Sequence, residues 1–208
     1  MEDVLDLYAE PYDPRRPVVC TDERPCQLLA DVLEPLPMKP GRTRRIDYEY
    51  KRKGTCNLFI AFQPLQSWRH LKLTQRRTKA DFAYWLKELV DVHFPDAEVI
   101  RLVLDNLNTH VLGCLYEVFD PAEAHRIAHK FDFHFTPKHA SWLNMAELEF
   151  SVLVRQALKQ RIPSSATMQL ILDAWQHHRN DKQAIVNWRF STTDARTRLS
   201  SLYSALLS

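Results

Sequence analysis

Three acids stand where a carboxylate can do chemistry: Asp22, Asp105 and Glu147. Asp22 follows the short apolar run Val18-Val19-Cys20-Thr21, and Asp105 follows the longer run Val99-Ile100-Arg101-Leu102-Val103-Leu104. Such runs read as buried strands, the second as a central strand covered on both faces. Each Asp is then delivered at the C-terminal end of a strand. Glu147 closes the stretch Pro137-Lys138-His139-Ala140-Ser141-Trp142-Leu143-Asn144-Met145-Ala146-Glu147. This reads as a loop entering a long amphipathic helix, with Ser141 as N-cap. On a wheel of ~100° per residue with Leu143 at zero, Ala146, Phe150, Leu153, Val154 and Ala157 fall within about 80°. Glu147 falls at about 40°, on that stripe, and Glu149 about 120° away on the wetter flank. A carboxylate on an apolar face is costly unless it is paired, protonated or metal-bound.

Three carboxylates from three separated elements suit a hard cation. Mg²⁺ is usually held by a few carboxylates, water and substrate phosphate. Two such ions about 4 Å apart can activate a water or hydroxyl and stabilise the leaving oxygen in phosphodiester displacement. Asp22, Asp105 and Glu147 are therefore the expected catalytic and metal-binding residues, for two Mg²⁺ ions or Mn²⁺ in their place. Asn106 and Asn144 are expected to orient ligands or water, with His139 a loop hydrogen-bonder beside them. Taken singly, each acid reads as well as a helix cap, a strand-end turn residue or a surface charge; the combination points to a site.

The positioning elements follow in chain order. Residues 1–17 read as a lead-in helix and a Pro-rich extended linker. Gln27 to Leu33 suggests one or two helical turns. Arg45–Tyr50 and Cys56–Phe62 read as a hairpin around the charged turn Lys51–Thr55, and Trp68–Leu73 as a third strand. Thr78 with Asp81 three residues on starts a helix that ends before Pro95. Asp120-Pro121-Ala122-Glu123 starts another, and Phe131–Phe135 alternates as a strand. Pro163 breaks the long helix, a further helix spans about 165–179, and the tail 193–206 carries Ala195, Leu199, Leu202 and Leu206 on one side. The sum is an α/β layer, a meander followed by helix crossovers. Residues 18–162 form the expected core, 1–17 a lead-in segment and 163–208 a helical extension of the same domain.

Composition narrows the function. A chain of 208 residues, 45% hydrophobic, can bury a real core. No apolar run is long enough for a membrane span, and the acidic N-terminus does not resemble a signal peptide. Cys20, Cys26, Cys56 and Cys114 form no Cys-x-x-Cys pair, so reduced thiols in a cytoplasmic protein are expected. Only three glycines leave no phosphate-cradling Gly-rich loop. His125 and His129 have helical ligand spacing, but Arg126 breaks the His-Glu-x-x-His pattern. The net charge of +2 hides an asymmetry: Lys39 to Lys79 holds twelve Lys/Arg against Asp47 and Glu49. A basic segment beside an acidic body suggests a polyanion partner, or else a solvated face. Arg42, Arg44, Arg45, Lys51, Arg52, Lys53, Arg76, Arg77 and Lys79 are the candidates for phosphate contact.

Cys20-Thr21-Asp22-Glu23, Asp105-Asn106-Leu107-Asn108-Thr109-His110 and the Pro137–Glu147 stretch together resemble bacterial insertion-sequence transposases of the mariner supergroup, which are DDE superfamily endonucleases. The resemblance runs from Glu2 to about Tyr203. It implies a ribonuclease-H-like mixed sheet, with a three-strand antiparallel meander plus parallel strands, flanked by helices. It also implies metal-dependent cleavage of double-stranded DNA at transposon ends and 3′-hydroxyl strand transfer into target DNA. By motif position, Asp22, Asp105 and Glu147 match the family's three acids. A homodimer in the active complex and a nucleoid-associated location are family expectations. Ala140 stands where relatives usually have Gly. Family members normally carry an N-terminal helix-turn-helix region that reads the transposon ends, and this chain starts at the catalytic part. The alternatives are a non-catalytic DNA-binding or oligomerising remnant, or a stand-alone ribonuclease-H-like nuclease.

Overall fold

The computed structural model describes residues 1–107, 110–138, 140–200 and 203. Helix α1 (Glu2–Ala9) leads into strand β1 (Val18–Asp31), followed by β2 (Tyr50–Gln63) and β3 (Trp68–Thr74). Helix α2 (Lys79–Glu88) precedes β4 (Ile100–Leu104), then come α3 (Gly113–Val118), α4 (Pro121–Ala128) and β5 (Phe131–Phe135). Helices α5 (Met145–Gln156), α6 (Ser165–Asp181) and α7 (Thr192–Arg198) complete the order.

The five strands form one sheet in the order β3-β2-β1-β4-β5. β1, β2 and β3 are antiparallel neighbours, whereas β4 runs parallel to both β1 and β5. The meander and the parallel strands expected from the sequence are both present. So is the apolar logic of β4, all five of whose residues are buried.

Alternation along the strands sorts side chains to two faces. Cys20, Leu58, Ile60, Phe62, Leu71 and Val103 pack with α1, α5 and α6 on one face. Val19, Phe59, Ala61, Leu102 and Leu104 pack with α2, α3 and α4 on the other. The start signals of α2 and α4 are realised. Thr78 and Asp81 make a reciprocal capping box, and the Asp120 side chain accepts from the Ala122 and Glu123 N–H groups.

The composition of the meander differs from expectation. β1 does not end at Asp22. It runs on through Pro25 to Asp31, paired with β2 throughout, so residues 27–31 are strand rather than helical turns. Only Val18–Cys20 pair with β4. Past Cys20 that edge of β1 has no strand partner among the described residues, and a Pro is tolerated at such an edge. Lys51–Thr55, expected as a turn, lies in the first half of β2, and of the expected strand 45–50 only Tyr50 belongs to the sheet, while Arg45 makes an isolated bridge to Leu36. The long connection 32–49 joins β1 to β2, and the register that local alternation suggested for it is not used.

Candidate active site

Asp22 lies mid-strand, just past the last β1–β4 pair, Cys20 with Val103. Beyond that pair β1 makes no further pairing with β4 among the described residues. Asp105 is the first residue after β4 and is half-buried. The backbone under Asp22 is firmly held. Thr21 donates its hydroxyl to the Ile60 carbonyl at 2.8 Å and accepts from Trp85 Nε1 at 2.9 Å. Asn144 donates from Nδ2 to the Thr21 carbonyl at 2.9 Å while its Oδ1 accepts from the Ala146 N–H at 3.1 Å. One side chain thus caps α5 and fixes that helix to β1.

This replaces the expected Ser141 cap. Ser141–Leu143 form a single 3₁₀ turn, and Asn144 is the N-cap of α5. The shift alters the helical wheel. The buried stripe of α5 is Met145, Ala146, Glu149, Phe150 and Leu153. Glu149 therefore lies on the core side, not the wetter flank, and is only 1% exposed. Its charge is met by Arg69 Nε at 3.1 Å and Arg179 Nη2 at 2.8 Å. Glu147, 200° further round at ~100° per residue, faces the other way. It is half-buried and lines a cleft of about 370 Å³ with Asp22, Glu23, Arg24, Ser151, Val154 and Arg155.

Asp22 registers its neighbours. Burial pushes its carboxyl up to about 7, and the negative charges of Asp105 and Glu147 push in the same direction. The Glu23 N–H, which donates to Asp22 Oδ1 at 2.7 Å, and His110 act against them. The three acids share one electrostatic environment.

His110 and Glu23 belong to the site although side-chain patterning did not single them out. His110 Nδ1 lies 2.6 Å from Asp105 Oδ1, and its Nε2 lies 3.7 Å from Glu23 Oε1. Its ring rests on Phe82, with centroids 4.6 Å apart. Burial alone would lower the imidazole pKa, but the two carboxylates outweigh it and raise it to about 9. Glu23 is buried and neither of its carboxylate oxygens has a hydrogen-bond partner, although Arg77 Nε stands 3.3 Å away. The sequence signal for His110 was its place in the Asp105–His110 motif.

The family model described as DDE superfamily endonuclease matches residues 17–171. The chain belongs to the DDE superfamily of endonucleases. The DDE fold extends to solved structures. A Mos1 mariner paired end complex with Mn matches at TM-score 0.57 and 16% identity, covering 86% of this chain and 53% of that one. The Mos1 strand transfer complex gives 0.57, 15%, 86% and 56%, and a Mos1 paired-end complex with left transposon end gives 0.55, 15%, 81% and 51%. The shared architecture is ribonuclease-H-like, and the chain spans about half the length of these structures. No curated protein matches the chain.

Within this DDE domain the donor set fits a divalent cation. Asp105 is half-buried with Oδ1 2.6 Å from His110 Nδ1, and Asp22 is a half-buried carboxylate crowded by the charges of two others. Oxygen-only donors of this kind are what Mg²⁺ or Mn²⁺ takes. Asn106 is exposed beside Asp105, and His139 lies outside the described residues. The nine candidate phosphate-contact residues are all exposed. Two are already paired, Arg77 with Glu23 and Lys79 with Glu117 at 2.7 Å. His125 and His129 do meet, Nε2 to Nε2 at 2.8 Å, on an exposed face of α4. Trp142 packs on Trp188 and Phe190. All four cysteines are free thiols. Among the described residues no helix is long and apolar enough to cross a membrane.

Proposed function

We propose that this chain is the catalytic part of a DNA transposase. It cleaves phosphodiester bonds at transposon ends and joins the freed 3′-hydroxyl to target DNA. The observation that carries this reading is that Asp22 and Glu147 line one open cleft of a DDE-family domain while the charges of Asp105 and Glu147 both act on Asp22. The Mos1 relatives of the fold are paired-end and strand-transfer complexes, one of them with Mn, which favours the same chemistry here.

Asp22, Asp105 and Glu147 would hold the metal, two Mg²⁺ ions or Mn²⁺ in their place. When bound, the ions supply charge neutralisation at the phosphate and a nucleophile active at neutral pH. The chain's own residues do the positioning. Asn144 fixes the start of α5, and so Glu147, against the β1 backbone that carries Asp22. His110 braces Asp105 from behind and supplies a positive charge that keeps three acids tolerable together. Arg24 and Arg155 stand at the cleft and can meet a DNA phosphate. The exposed cations from Arg42 to Lys79 extend that contact along a duplex, and two DNA ends would require a homodimer.

Calorimetry with Mn²⁺, paired with nicking of supercoiled plasmid, tests the assignment. The wild type should bind Mn²⁺ and nick; Asp105→Asn should keep its fold, lose nicking by at least ~10²-fold and bind Mn²⁺ more weakly. Equal nicking by the variant would refute the site. DNA binding with no nicking in either protein would point instead to a non-catalytic remnant.

A further inference from the structure

A second cluster of ligating side chains lies on the opposite face of the sheet from α5. His70 on edge strand β3 pairs with Ala61, on the face covered by α2. Glu88 is the last residue of α2. His93 follows it by five positions. On a continuing α-helix, five residues turn ~500°, which leaves the two side chains about 140° apart. The chain instead makes a π turn over Leu89–His93, closed by Phe94 N–H to the Leu89 carbonyl at 2.8 Å. The wider turn brings His93 back to Glu88. Turns of this type are rare and concentrate at functional sites.

The three side chains converge on one point. His70 Nε2 lies 2.9 Å and His93 Nε2 3.6 Å from the same oxygen, Glu88 Oε1, and all three ligand atoms are within 4.8 Å of one another. A tetrahedral Zn²⁺ with bonds of ~2.0–2.1 Å separates its ligand atoms by about 3.3 Å. The observed distances bracket that value. His93 Nε2 is buried and has no hydrogen-bond partner, so it is an orphaned lone pair or N–H aimed at the cluster. The rings are held in place: His70 stacks on Trp85 with centroids 5.6 Å apart, and Trp68 lies 5.1 Å from His93. Lys72 engages the other oxygen of Glu88, which orients the carboxylate and leaves Oε1 facing the two imidazoles. Side-chain exposures of 19%, 25% and 17% for His70, Glu88 and His93 leave room for a water as fourth ligand.

We propose that His70, Glu88 and His93 form a binding site for a transition-metal dication of the zinc class, distinct from the carboxylate cleft. Two imidazoles and one carboxylate select such an ion over Mg²⁺, which prefers oxygen donors. The ion clips edge strand β3 to the end of α2.

The test uses the untagged full chain at pH 7 with excess Mg²⁺ to occupy the carboxylate cleft. Co²⁺ is titrated as the probe, read by visible absorption, and Zn²⁺ is then added to displace it. The expected result is one equivalent of Co²⁺ with the intense visible bands of a four-coordinate ion, displaced by Zn²⁺. His70→Gln and His93→Gln should each weaken Co²⁺ binding at least tenfold with unchanged circular dichroism. If a variant misfolds, zinc-edge anomalous diffraction from wild-type crystals decides. A peak between His70 and His93 supports the site; a peak elsewhere, or none, overturns it. So does Co²⁺ binding that Mg²⁺ abolishes, or that is equal in all three proteins. None of these readouts depends on DNA cleavage.

Discussion

Arg69 and Glu149 form a fully buried ion pair, Nε to Oε2 at 3.1 Å, that ties edge strand β3 to helix α5. Arg69 is further held by the carbonyls of Ser67 and Ala184 and by Asn180 Oδ1. Arg179 meets the other oxygen of Glu149 at 2.8 Å. Two acids two residues apart on α5 thus have different tasks, Glu149 holding the fold and Glu147 facing the cleft.

Exchanging each acid separates those tasks. Glu149→Ala leaves two buried or half-buried guanidinium groups without their counter-charge, and should cost about 3–5 kcal/mol of stability. Glu147→Gln should change stability by less than about 0.5 kcal/mol, because it removes a charge from an open cleft. Urea unfolding of both variants measures this. Equal losses would contradict the division.

Asp22 should make metal-free protein less stable as pH rises. Its folded pKa of about 7 lies above the ordinary 3.8, so the folded state binds the proton more tightly. That contribution is fully present below pH ~4 and is lost as pH climbs to ~7. At ~1.4 kcal/mol per unit the loss is at most about 4 kcal/mol. Access of solvent to the cleft reduces it toward about 2 kcal/mol. Asp22→Asn should therefore raise the Tm in chelator at pH 8 and leave it unchanged at pH 4. A variant less stable at both values would remove this account. A bound divalent cation should erase the difference by stabilising the wild type.

The basic arm should reveal itself through salt. Lys51, Arg52 and Lys53 are exposed on the first half of β2, beyond the packed sheet. If Arg52 and Lys53 each neutralise a phosphate, replacing both by Ala should flatten the slope of log K against log salt by about 2, at ~0.9 per contact. Fluorescence anisotropy with a random duplex at several salt concentrations reads it. An unchanged slope would place the DNA elsewhere.

What the sequence determined by itself is local. The apolar run of β4, the Thr78–Asp81 box, the Asp120-Pro121 start and the alternation of β5 each depend on neighbours a few residues away, and each is found where the pattern put it. Of the three candidate acids only Asp105 follows its strand as the pattern put it; Asp22 lies inside β1, and Glu147 lies off the buried stripe of α5. What tertiary structure decided is whatever needs a distant partner. β1 passes through Pro25 only because β2 pairs along one side while the other has no strand partner among the described residues. Asn144 rather than Ser141 caps α5 because its amide also reaches the Thr21 carbonyl, 123 positions away. Glu149 is buried because Arg69 and Arg179 arrive from β3 and α6 to neutralise it, and no periodicity along α5 records their arrival. A helical wheel measures apolarity along one segment, but the cost of burying a charge is set by its counter-charges, and those come from elsewhere in the chain.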